Sequence, residues 1–105
     1  MPDIVRIQPE DARQKVLSGQ ALLVCAYPLY EKYLKYHLEG AIPLSGLHAK
    51  ESKLSRDQEI IFYWNWTNEN SSARLADEYK QKGFQNVKAL KGGVEGWKKA
   101  GFPTL

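Results

Sequence analysis

Cysteine is almost missing from this chain. Cys25 is the only one among 105 residues, so no intramolecular disulfide can form and no multi-cysteine zinc site can be built. Histidine is nearly as scarce, and His37 and His48 stand too far apart in sequence to suggest a metal centre. No metal and no cofactor is therefore expected. No apolar run approaches the roughly 20 residues that a membrane-spanning helix needs, and no early segment resembles a signal peptide. The expectations are no membrane association and, by default, a cytoplasmic location. Repeats, low-complexity segments and linkers are also lacking, which leaves one domain over residues 1–105. The net charge of +3 is mild, and lysine and arginine are interleaved with aspartate and glutamate. Without a basic stripe or a recognition motif, no nucleic-acid partner is expected.

What the chain does have is an alternation of short apolar runs with amphipathic segments. Residues 4–7, 21–26, 60–64 and 86–90 read as strands, the second and third apolar enough to be buried on both faces. Pro9 with Glu10 and Asp11 marks a helix start, Ala12, Val16 and Leu17 share one face, and Gly19 ends it. Tyr30, Tyr33, Leu34 and His37 recur at helical spacing, and Gly40 and Pro43 bracket a turn and an extended segment. Residues 45–58 read as polar and irregular, with a helical turn around 47–54. A helix following the central strand buries Ala73, Leu75, Ala76 and Tyr79 and is capped by Gly83, with Phe84 packed behind. Gly92-Gly93 turns into a last helix carrying Val94 and Trp97. The alternation predicts an α/β protein with a parallel sheet covered on both faces.

The centre of interest is Ile60-Ile-Phe-Tyr-Trp-Asn-Trp-Thr-Asn-Glu-Asn-Ser-Ser-Ala-Arg74: a strand, a short polar loop and a helix N-terminus. The first helical N–H groups lack intrahelical partners and the macrodipole turns its positive end toward them, so such a loop cradles an anion or a thiolate. No cysteine stands in it.

Three separated pieces resemble one family. His37-Leu-Glu-Gly-Ala-Ile42 is similar to the His-Ile-Pro-Gly-Ala-Ile element of rhodanese-like domains. Gly83-Phe-Gln-Asn-Val-Lys-Ala-Leu-Lys-Gly-Gly-Val-Glu-Gly-Trp-Lys-Lys-Ala-Gly-Phe-Pro103 resembles their C-terminal signature. Tyr63-Trp-Asn-Trp-Thr-Asn-Glu-Asn-Ser-Ser-Ala-Arg74 resembles the branch with Tyr-Cys-x-Cys-Pro-Asn-Glu-x-x-Ser-Ala-Arg. The resemblance implies a five-stranded, mostly parallel sheet with helices on both sides. It also implies a sulfurtransferase whose loop cysteine takes a sulfane sulfur as a persulfide and passes it to cyanide or another thiol.

This chain departs from that pattern where the chemistry lies. Counting forward from the strand puts the nucleophile at Trp64; counting back from the helix over a six-residue loop puts it at Trp66. In either register the thiol is gone, and the degenerate loop consists of Trp64, Asn65, Trp66, Thr67, Asn68, Glu69, Asn70 and Ser71. Many relatives carry Asp-Val-Arg at the end of the preceding strand, where this chain has Cys25-Ala26-Tyr27.

The expected function is a catalytically silent rhodanese-like domain that binds a protein partner or a small anion at the loop. The rival is a sulfurtransferase using Cys25 or a partner's thiol, and a third reading is an arsenate-reductase- or phosphatase-like enzyme, which lacks the same thiolate. Each singled-out residue also has a plainer reading. Trp64 and Trp66 pack as core and rim aromatics, and at most one of them plugs the former pocket. Cys25 is a small buried hydrophobe, and His37 bonds nearby backbone. Ser71 and Ser72 cap a helix, and Glu69 and Arg74 are a solvated acid and cation, although Arg74 could assist an anion. Tyr27, Tyr30, Tyr33, Tyr36 and Trp66 could make an aromatic face.

Overall fold

The computed structural model describes residues 4–27, 29–64, 70–102 and 104, and for residues 70–73 the backbone alone. Five strands, β1 (Val5–Ile7), β2 (Ala21–Cys25), β3 (Ala41–Ile42), β4 (Glu59–Tyr63) and β5 (Val87–Leu90), form one sheet in the order β1-β5-β4-β2-β3, with every pair parallel. Parallel neighbours need crossovers, and five helices supply them: α1 (Pro9–Leu17), α2 (Tyr30–Lys35), α3 (Leu44–Lys50), α4 (Asn70–Gln81) and α5 (Gly93–Lys99).

The alternation of side chains along β2 and β4 sorts the core into two layers. Ala21, Leu23, Cys25, Ile61 and Tyr63 point to one face, under Ala12 of α1, Tyr33 of α2, and Val94 and Trp97 of α5. Val24, Ile60 and Phe62 point to the other, under Leu44 and Leu47 of α3 and Ala76 and Tyr79 of α4. All five residues of β4 are buried, as expected for the central strand of a sheet covered on both sides.

Two expectations change here. Leu44 and Leu47, one turn apart and both buried, anchor a longer helix that begins ahead of the single helical turn expected around 47–54, and Glu51–Lys53 continues it as a 3-10 turn. Two apolar anchors in a polar segment give too little periodicity to read. In addition, α4 starts at Asn70, so Ser71 and Ser72 lie in its first turn rather than capping it. Its other end matches expectation. Gly83 takes φ 103°, its N–H bonds the Lys80 carbonyl, and the Phe84 N–H reaches back to Tyr79, which is the Schellman arrangement.

The turn from β5 into α5 needs its glycines for space as well as conformation. Gly92 has φ 77°, and a Cβ on Gly96 would lie 2.7 Å from the Lys91 carbonyl oxygen. This close turn lets the Val94 N–H bond the Trp64 carbonyl at 2.8 Å, locking the start of α5 onto the end of β4.

Candidate functional site

In an open parallel sheet, ligand sites form beyond the carboxyl ends of the strands. Here that edge carries the residues after β2 and β4. Cys25 ends β2 opposite Tyr63, the last residue of β4, and the Ala26 N–H extends the ladder to the Tyr63 carbonyl at 2.9 Å. Tyr27 and Trp64 follow on adjacent strands and stack, with ring centroids 3.8 Å apart at 23°. Tyr36, at the C-terminal end of α2, stacks on the same Tyr27 ring at 5.4 Å and 20°. The Lys35 ammonium lies 5.4 Å from the centre of the Tyr36 ring.

Trp64 does not follow the strand's alternation. By period two it would face α3 and α4, yet it packs against the layer containing Cys25, Tyr27 and Tyr63. The reason is that β4 ends at Tyr63, so the chain is free to turn there and Tyr27 offers the indole a flat surface. Trp66 lies outside the described residues, and with it the expectation that at most one of the two indoles plugs the former pocket.

Cys25 is wholly inaccessible to solvent. Burial pushes its thiol above the ordinary cysteine value, and contacts with the Tyr27 backbone and the Tyr63 hydroxyl pull it back only in part. Neither of those groups is cationic. The thiol accordingly stays protonated at neutral pH, the opposite of what a sulfur nucleophile requires. Tyr63 itself is raised by burial and by its proximity to Cys25, and its hydroxyl donates to the Tyr36 carbonyl at 2.8 Å.

His37 has a positioning role. Its Nε2 lies 2.9 Å from the Tyr33 hydroxyl and 3.2 Å from the Ala41 carbonyl oxygen, to which that hydroxyl also donates at 2.9 Å. The three groups tie α2 to β3. Arg74 is exposed on α4. Asn65, Trp66, Thr67, Asn68 and Glu69 lie outside the described residues, as do the side chains of Asn70, Ser71, Ser72 and Ala73. Among the described residues no three His, Cys, Asp or Glu side chains come together as a metal site. Nor is any described helix long and apolar enough to cross a membrane.

Of the aromatic face expected from Tyr27, Tyr30, Tyr33, Tyr36 and Trp66, the four tyrosines fall into two groups, and Trp66 lies outside the described residues. Tyr27 and Tyr36 stack with Trp64, whereas Tyr30 pairs with Tyr33 at 5.5 Å. Sequence spacing could not find this grouping, because Tyr36 and Trp64 come from different crossovers and meet only through Tyr27.

A parallel α/β sheet with a loop joining its central strand to a helix N-terminus defines a small class of folds. Within it, the model of the rhodanese-like domain matches residues 9–100. The chain belongs to the rhodanese-like domain family. Solved structures agree on the fold. A rhodanese-related protein of Thermoplasma volcanium is 20% identical, with 96% of this chain and 97% of that one covered at a TM-score of 0.71. The Alr3790 protein of Anabaena is also 20% identical, covering 94% and 90% at 0.75. The BH2092 protein of Bacillus halodurans is 22% identical, covering 96% and 76% at 0.75. No curated protein matches the sequence.

Proposed function

We propose that this rhodanese-like domain is a binding module that does not transfer sulfur. The observation that carries the reading is Trp64: the first residue after β4 is an indole stacked on Tyr27, in the layer that holds Cys25. The start of α4 at Asn70 supports the register, since six positions separate Tyr63 from that helix. A six-residue loop counted from either end then begins at Trp64, the place of the nucleophile in the sequences this chain resembles. Cys25 is a poor substitute, being buried, protonated and without a cation acting on it. The ligand of the module is a protein surface or a small anion at the carboxyl edge.

A thiosulfate:cyanide sulfurtransferase assay, run with intact-mass analysis for a persulfide, tests this. The expected result is no turnover and no added sulfur. Turnover that disappears in Cys25→Ser would overturn the reading in favour of a sulfurtransferase using Cys25.

A further inference from the structure

Five large hydrophobic residues are exposed among the described residues, and three of them fall within six consecutive positions. Leu29, Tyr30 and Leu34 are 61%, 58% and 55% exposed. Tyr30 and Leu34 lie one turn apart on α2, so they form a single outward stripe, while Tyr33 on the neighbouring stripe is buried in the core. Leu29, also exposed, precedes Tyr30 as the N-cap residue of the helix. Lone surface hydrophobics are ordinary, but a contiguous patch beside a candidate site marks a contact surface.

The charges beside the stripe indicate what would cover it. Glu31 and Lys35 are exposed and also one turn apart, and by helical geometry they share the flank next to Tyr30 and Leu34. Acid stands at the N-terminal end of this short helix and base at the C-terminal end. A second α2 running antiparallel places its Lys35 against Glu31 and its Glu31 against Lys35, with Tyr30 against Leu34 twice over. That is the self-complementarity a two-fold interface requires. A partner of uniform charge would meet one of the two residues with repulsion.

We propose that α2 is the contact surface for a second copy of this chain, related by a two-fold axis crossing the helix between Tyr30 and Leu34. The patch is small, on the order of 300 Å² of apolar surface per copy, below what a permanent dimer buries. The association is correspondingly weak and reversible. Because Tyr36 follows α2 directly, pairing brings the two Tyr36–Tyr27–Trp64 stacks near one axis. The proposal holds whether or not the loop transfers sulfur.

Sedimentation velocity from about 1 μM to about 1 mM reads it directly. The expected result is a sedimentation coefficient that rises with concentration in the native chain and stays at the monomer value in Leu34→Glu. Circular dichroism would confirm that the variant, altered at an exposed position, stays folded. Glu31→Lys and Lys35→Glu should each weaken association by about fivefold or more, because each reverses two pairs at once. The double variant should recover to within about twofold of the native chain. A native chain that stays monomeric throughout, a double variant that fails to recover, or tighter association on Glu31→Lys alone would each overturn the proposal.

Discussion

The two ends of the sheet contrast in chemistry. At the amino end, Glu59 opens β4 almost completely buried, and its carboxylate accepts from Lys15 of α1 at 3.1 Å and from Lys88 of β5. Lys88 also donates to the Asn86 side chain at 2.8 Å. At the carboxyl end, where this fold places ligands, the groups acting on the buried thiol are two tyrosines and the rings around it stack on one another. Buried charge thus sits at the amino end of the sheet. Its task is to tie β4, β5 and α1 together, and a buried carboxylate is tolerable only when paired in this way. At the carboxyl end neither group acting on Cys25 is cationic, and the described rings beside it are stacked on one another.

The largest expected effect reverses that contrast by restoring a thiol. Trp64→Cys puts a cysteine directly after β4 and ahead of the α4 N-terminus, where the macrodipole favours a thiolate. Incubated with thiosulfate, it should gain the mass of one sulfur where the native chain gains none, and Trp66→Cys should not. Gain in Trp66→Cys alone would move the nucleophile position to residue 66. Next comes Glu59→Ala, which leaves Lys15 and Lys88 without their shared carboxylate. It should cost about 2–3 kcal/mol in urea or guanidinium unfolding, less than a fully buried pair because Lys15 reaches solvent. Trp64→Ala removes a half-buried stacked ring at the other end and should cost less, about 1–2 kcal/mol. If the order of these two losses were inverted, the carboxyl edge would be the better anchored one.

The smallest effect is one of pH. Burial raises the Glu59 carboxyl, but its hydrogen bonds and attraction to Lys88 and Lys15 outweigh this and hold it below the ordinary glutamate value. The unfolded chain therefore takes up its proton at higher pH than the fold does. The stabilisation is complete above the unfolded value of about 4.3 and is lost as pH falls through the lower folded value. Unfolding midpoints measured between neutral pH and acid should fall more steeply for the native chain than for Glu59→Gln. Parallel slopes would mean that Glu59 adds nothing to acid sensitivity.

Much of this was legible in one dimension. The apolar run of β4, the proline and acids at the start of α1, Gly83 behind α4 and the Gly92-Gly93 turn each carry a local signal strong enough to survive tertiary context. The C-terminal signature was enough to point to the family that the comparisons bear out. Other features had no local signal. α3 rests on two leucines in a polar stretch, and the true start of α4 at Asn70 lies ahead of the serines that usually mark such a start. Trp64 read as the last residue of the central strand, because alternation cannot say where a strand stops.

For this protein, then, residue order alone determined the class of fold, the absence of a cysteine from the loop and the isolation of Cys25. These follow from periodicity and identity, which are properties of neighbours in the chain. Tertiary structure decided that Trp64 stacks on Tyr27, that burial keeps Cys25 protonated, and that Glu59 finds two lysines. Those outcomes depend on distances between β2, β4, β5, α1 and α2, set only when the crossovers close. Trp64, the first residue after β4, stacks on Tyr27 in the layer that holds Cys25, a contact that only the closed sheet could make.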